Sequence, residues 1–365
     1  MRPCIMTAAR VVLACGLGVA AILAPSLQAQ PVNPPAGNEA FANEAPLPTL
    51  DPQTREIVDH ALNWLVSQQE PNGSWGKGSP GREQYRGAMT AYSLIALMAG
   101  GNLPGQGPHG RAVERGVDYL LGIVLPDGQI RTDNQRHYMY SHGIATLVLA
   151  EVYGETGNAS IRPKLETMVE VILKAQDASG GWRYRPVPSG ADISATVVQV
   201  VALRAARNSG LPVPQTVFER AKDYIRSCRV GETGGFAYQA GGDRPGFARS
   251  AAAIYSMQIL GEYDEPFIIA ASDYCFENFG GGGWFAYGNY YAAPAHYLIG
   301  GERWTRWYAL IREDLVDKVN RRGNEAWWGR VGVGVGRADN GPIYQTAVYT
   351  TILAIPLNYL PLYQR

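Results

Sequence analysis

The sequence is poor in the residues that carry most enzyme chemistry. Five histidines and four cysteines are spread over 365 residues, and no CxxC, HExxH or GxSxG string occurs. Those absences remove the zinc-ribbon, helical metalloprotease and nucleophile-elbow readings. His137 and His142 are five residues apart, so one helix face would not present both. Neither sign of charge dominates: 32 basic residues face 32 acidic ones. Nothing therefore points to nucleic acid or to a strongly acidic partner. No long stretch alternates apolar and polar residues as a half-buried strand would.

Hydrophobic residues nonetheless make up 46 % of the chain, enough for one large core, and glycine (43) and tyrosine (21) are abundant. At the N-terminus, Arg2 and Arg10 form a positive region ahead of the apolar run Val11–Leu23. The run has the length of a signal peptide and is too short to span a membrane. Cleavage is expected after Ala29, so residues 1–29 are read as a signal and the chain as exported. Leu13-Ala14-Cys15-Gly16 also has the letters of a lipoprotein box, and an uncleaved anchor is the other alternative. Residues 30–49, rich in Pro, Ala and Asn, read as a flexible linker, with one domain over 50–365. Export would leave Cys228 and Cys275, read as buried free thiols, although a disulfide is chemically permitted outside the cytosol.

The dominant signal is an internal repeat. A helical stretch ends, a Gly-rich turn with an aromatic or apolar anchor follows, and a second helix rich in small residues begins. The anchors are Trp75, Ile130, Trp182, Phe236, Trp284 and Trp328, spaced as in two-helix repeats. The first helix of each pair carries a charged face, as with Glu219, Lys222 and Arg226. The second is nearly uncharged, as in Ser250-Ala251-Ala252-Ala253. Charged helices belong outside and small-residue helices inside. The fold expected is all-α: an α/α toroid of about six helix hairpins in two concentric rings.

Gln69-x3-Gly73-x-Trp75 and Gln176-x3-Gly180-Gly181-Trp182 resemble the QW motif of terpenoid cyclases. The likeness covers about residues 50–365 and is similar to the bacterial prenyltransferase and squalene oxidase repeat proteins. Tyr140–Thr146 and Asn358–Arg365 share the look of that group. The resemblance implies a Gln that caps a neighbouring helix and stacks on the Trp. It also implies chemistry whose residues are degraded here. The cyclase Asp-x-Asp-Asp-Thr acid falls on Asp192-Ile193-Ser194-Ala195-Thr196, where the central carboxylate is Ala195. Asp192 is therefore read first as a helix cap. The prenyltransferase zinc pair has its letters in Asp273-x-Cys275, but on an outer helix, and the matching His position falls near Ala293 rather than His296. No metal and no cofactor is expected. Gly332-Val-Gly334-Val-Gly336 follows no strand and reads as a surface loop.

If the inner helices run parallel, their N-termini surround one mouth, with unpaired N–H groups and partial positive charge. The residues placed there are Arg86, Tyr92, Tyr140, His142, Asp192, Arg249, Tyr290, Tyr291, Tyr344 and Gln345, with Arg183 and Arg185 on the adjoining loop. His142, Asp192 and Arg249 are the weak catalytic candidates. The leading expectation is an exported toroid binding a lipid, isoprenoid or glycan in its centre, without cyclase or zinc prenyltransferase chemistry. The alternatives are a toroid enzyme acting on a polysaccharide or terpenoid, and a protein-binding scaffold. The apolar end Leu353–Leu362 is expected to close the ring onto the first repeat, or to contact a membrane.

Overall fold

The computed structural model describes residues 50–76, 85–132, 136–280, 284–329 and 340–360. The signal, the linker and the Gly332–Gly336 loop lie outside the described residues. Among the described residues twelve α-helices follow in chain order: α1 (Pro52–Ser67), α2 (Arg86–Ala99), α3 (Gly110–Ile123), α4 (Tyr138–Thr156), α5 (Arg162–Lys174) and α6 (Ile193–Asn208). Then come α7 (Gln215–Ser227), α8 (Phe247–Ile259), α9 (Pro266–Glu277), α10 (Phe285–Ile299), α11 (Gly301–Asp317) and α12 (Pro342–Ala354). A short antiparallel hairpin, β1 (Asn320–Arg322) and β2 (Glu325–Trp327), precedes the last helix.

The even-numbered helices form a closed inner ring. Each packs on the next, from α2 through α4, α6, α8 and α10 to α12, and α12 packs back on α2. The odd-numbered helices lie outside them. Burial follows composition. In α7 only Phe218, Ala221, Lys222, Tyr224 and Ile225 are buried. In α12 every residue except Gln345 is buried. The expected α/α toroid is the fold observed.

The corners between outer and inner helices show how the repeat is built. The backbone N–H of Trp75, Trp182, Phe236 and Trp328 donates to a hydroxyl at the start of the inner helix: Thr90 at 3.0 Å, Thr196 at 3.0 Å, Ser250 at 2.9 Å and Thr346 at 3.1 Å. In the second corner Ile130 N–H donates to the Tyr138 phenol at 2.7 Å. The three buried indoles also donate back to the preceding outer helix, at Leu65, Ile172 and Leu315. Gln69 and Gln176 tie each corner forward, donating to the carbonyls of Ala112 in α3 and Val217 in α7 at 2.9 Å.

Five of the six anchors are at most 2 % exposed, whereas Trp284 is 52 % exposed. The fifth anchor was therefore misplaced. Corner glycines normally seat on the next outer helix one residue before a small or slender side chain: Arg115 before Gly116, Thr167 before Met168, Arg220 before Ala221, Ala270 before Ala271. At that register α11 carries Trp307, fully buried and stacked on His296 at 5.4 Å. Asn289 holds the position of the corner hydroxyls, and its buried Oδ1 has no donor.

Cys228 and Cys275 are buried free thiols, as expected. The C-terminal segment reaches the first repeat: the Tyr359 ring lies against Gly101. No described helix is long and apolar enough to cross a membrane.

Candidate functional site

The starts of α4 and α6 and the loop between Trp182 and Asp192 build a polar, aromatic cluster. Asp192 is fully buried and caps α6. Its extended backbone aims Oδ1 at the Ala195 N–H (2.8 Å) and the Ser194 hydroxyl (2.6 Å). The loop is fixed by the Asp192 N–H, which donates to the Trp182 carbonyl at 3.0 Å. Tyr140 and Ser194 share a hydrogen bond of 2.6 Å. The Tyr287 phenol of α10 reaches across to the Ser194 carbonyl at 3.3 Å. Tyr184 and Tyr238 hydrogen-bond through their hydroxyls.

The second carboxylate oxygen of Asp192 is enclosed and meets no donor at hydrogen-bonding geometry. Arg183 Nε stands 3.9 Å away and the Tyr238 phenol faces it. Burial raises the Asp192 pKa, opposed by the Ser194 and Ala195 hydrogen bonds, by the nearby Tyr238 phenol and by the Arg183 charge. Burial also drives the Tyr140 phenol well above its ordinary value, with the Asp192 charge adding to it. The Tyr140 phenol is therefore a neutral donor at any physiological pH. His137 packs edge-on against Tyr184 at 4.9 Å, and the Arg183 guanidinium lies 5.4 Å from the Tyr184 ring centre.

Toward the ring axis the tyrosines continue. Tyr92 meets Tyr290 at 5.3 Å and Tyr344 at 5.0 Å, both edge to face. Tyr291 meets Tyr290 at 5.1 Å and Tyr287 at 5.0 Å. Tyr92 belongs to α2 and Tyr290 to α10, which are not neighbours in the ring, so these side chains converge across its centre.

Of the residues expected at the mouth, Tyr140, Arg183 and Asp192 come together, and Tyr92, Tyr290, Tyr291 and Tyr344 form the axial cluster behind them. The other five do not join either group, and of these Arg185 is exposed on the loop. His142 faces the outer ring: Nε2 lies 3.0 Å from the Met168 carbonyl of α5, and Nδ1 lies 3.3 Å from the Tyr138 phenol. Because a carbonyl only accepts, we assign the proton to Nε2. His142 is a buried neutral tie, its pKa lowered to about 4 by burial. Arg249 turns back onto the Arg244 carbonyl at 3.1 Å and faces Tyr274 of α9. Arg86 is paired with Glu70 at 3.0 Å at the first corner. Gln345 lines a crevice between α10, α11 and α12. His142, Asp192 and Arg249 have separate partners, so they share no reaction point. Sequence reading missed Ser194, Tyr184, Tyr238 and Tyr287. A signal was there for two of them: a tyrosine stands two residues after the anchor in both Trp182-Arg183-Tyr184 and Phe236-Ala237-Tyr238. Among the described residues no group of three or more His, Cys, Asp or Glu side chains could hold a metal.

No protein-family model matches the sequence, and no curated protein does. Solved structures do resemble the fold. The GH76A α-1,6-mannanase of Salegentibacter sp. HEL1_6 superposes with a TM-score of 0.59 at 10 % identity, covering 84 % of this chain and 99 % of the mannanase. The type II terpene cyclase MstE of Scytonema gives 0.55 at 15 % identity over 84 % and 99 %. A protein from Actinoplanes gives 0.54 at 19 % over 83 % and 99 %. At such identities the likeness fixes the architecture alone: the chain is an α/α toroid, in the company of a glycoside hydrolase and a terpene cyclase.

Proposed function

We propose that this chain is an exported toroid that binds a carbohydrate at the mouth formed by the starts of α4 and α6, without cyclase or zinc prenyltransferase chemistry. One observation carries the reading: a ring of phenols and one guanidinium gathers around the buried Asp192 carboxylate at this mouth. Sugar hydroxyls bond to the Tyr184–Tyr238 pair and to Arg183, which the carboxylate holds in place, and the C–H face of the sugar packs on an aromatic ring such as Tyr184. The axis favours hydroxylated ligands over polyprenes, because tyrosines rather than aliphatic walls meet there.

Hydrolysis is not part of the proposal. A glycosidase uses two carboxylates flanking the scissile bond. The mannanase neighbours are described as inactive when two adjacent aspartates are replaced, and this chain contains no two adjacent aspartates. The partners of Asp192 include no second acid. Olefin protonation would need a more acidic donor than a carboxyl whose pKa is raised.

Calorimetric titration with neutral oligosaccharides, α-1,6-mannotriose first, tests the reading. Binding is expected, weakened at least about tenfold by Asp192→Asn and by Tyr184→Ala. Binding of a prenyl diphosphate but of no neutral oligosaccharide would overturn it, as would release of reducing ends that Asp192→Asn abolishes.

A further inference from the structure

Across the mouth from Asp192, the junction between α10, α11 and α12 holds a crevice of about 210 Å³. The corresponding junction of the first two repeats is sealed: Ile123 and Ile130 close over Gly87 at the start of α2. Here the same kind of place is open and mixed in character. Phe285, Trp328 and Tyr349 supply aromatic walls, and Asp314, Lys318 and Gln345 supply polar atoms. Tyr349 stands edge-on to Trp328 at 5.7 Å and to Phe285 at 6.3 Å. Lys318 pairs with Asp314 through Oδ1 and lies 5.6 Å from the Phe285 ring centre. Asp314 Oδ2 is shielded and has no donor. Gly329, at φ +88°, leaves the room that the Gln345 amide oxygen occupies.

We infer that this crevice is a second carbohydrate subsite, holding one neutral sugar ring, and that the ligand of the mouth is therefore an oligosaccharide. The inference rests on the carbohydrate reading of the mouth and names its ligand class more closely. The volume suits a single sugar ring. The charges are already paired, so an anionic ligand would be repelled by Asp314 and a cationic one would have to displace Lys318. A neutral polyhydroxylated ring satisfies both kinds of lining: its hydroxyls donate to Gln345 Oε1, and the ring face lies on aromatic carbon. In a ring of six helices the α10–α12 junction is opposite the α4–α6 junction. With helices about 8–10 Å apart, the two lie on the order of 15–20 Å from each other, the reach of a short oligosaccharide.

The test uses the full-length protein carrying 5-fluorotryptophan, with the Trp328 resonance assigned through Trp328→Phe. The probes are the methyl glycosides of mannose, glucose and N-acetylglucosamine. We expect a saturable shift of the Trp328 resonance at millimolar probe, weakened at least about tenfold by Gln345→Leu and unchanged by Tyr184→Ala. The proposal is overturned if no probe shifts Trp328 up to about 100 mM, if Gln345→Leu leaves the response intact, or if Tyr184→Ala removes it. A Trp328 response that persists while the mouth binds no oligosaccharide would sink the reading of the mouth and spare the crevice.

Discussion

Asp192 combines two roles that a single substitution can separate. Its Oδ1 caps α6, while Oδ2 is left over. Asparagine caps a helix about as well as aspartate, whereas alanine loses about 1 kcal/mol. Asp192→Asn should therefore keep stability within about 0.5 kcal/mol of the parent, and Asp192→Ala should lose about 1–2 kcal/mol in urea unfolding. Ligand binding should suffer in both, because each removes the carboxylate. The histidines make a second residue-level prediction. His142 and His296 are fully buried, with pKa values lowered to about 4 by burial. The unfolded chain, with histidine near 6.5, takes up the protons first. Stability is thus intact above about pH 6.5 and declines as pH falls toward 4, by up to about 1.4 kcal/mol per pH unit for each histidine. Urea midpoints measured between pH 7 and 4.5 should fall, and His142→Gln should flatten the slope by about one proton. A helix-tying role for His142 is legible in the sequence, but its outer-ring partner is not. Its acceptor, the Met168 carbonyl, lies 26 residues away on another helix, and only tertiary packing decides which face of α4 looks outward.

The corner is the element in which sequence and fold agree most closely, and the glycines show why. Gly180 has φ +99°, and a Cβ there would run into the Arg220 backbone of α7. Gly210 has φ +88° with nothing within 4 Å. Both substitutions to alanine carry backbone strain of about 1–3 kcal/mol, but only Gly180→Ala must also push a helix away. Thermal unfolding should show Gly180→Ala losing at least about 2 kcal/mol more than Gly210→Ala; equal losses would mean that the corner does not seat on α7. The same logic explains the anchor that failed. A Gly-rich turn before a tryptophan marks a corner, yet whether its ring enters depends on the residue waiting in the next outer helix. Gly116 makes room for Trp75: a Cβ there would meet that ring at 3.0 Å. The fifth corner differs: Trp284 is exposed, and α11 buries the bulky Trp307 where the other outer helices carry smaller residues. Truncating Trp307 to alanine should cost about 3–5 kcal/mol, read by the same unfolding experiment. The axial tyrosines were legible as inner-helix residues, because small and aromatic side chains recur there at helical spacing. Ser194 and Tyr287 were not, because their roles arise from a contact between α6 and α10 that no local pattern encodes.

Closure distinguishes a toroid from an open stack of hairpins, and its seam lies between the two ends of the chain. Arg312 of α11 binds Asp51 at 2.8 Å and Thr54 at 2.7 Å, across about 260 residues of sequence. The Arg312 guanidinium holds the Asp51 carboxyl well below the usual carboxylate range. The hairpin adds a stack of Trp327 on Trp64 at 6.1 Å, and Asn63 donates to the Asn324 carbonyl at 2.9 Å. Within each half, neighbouring repeats support one another through corners and inner helices. Among the described residues no glutamine ties the last corner forward as Gln69 and Gln176 do, and the salt bridge is partly exposed and worth little by itself. The stacked indoles, which bury more apolar surface, should therefore hold the ring shut. In native-state hydrogen exchange, Trp327→Ala should speed the amides of α1 and α11 by at least about tenfold while those of α4 to α8 keep their protection. Arg312→Ala should give a smaller effect of the same pattern, one that starts to fade below about pH 4, the ordinary aspartate value, and vanishes only at the much lower pH where the depressed Asp51 carboxyl of the folded protein is protonated. A uniform rise in exchange across all twelve helices would show instead that closure and folding are one cooperative event, as two-state behaviour of a ring without free ends requires.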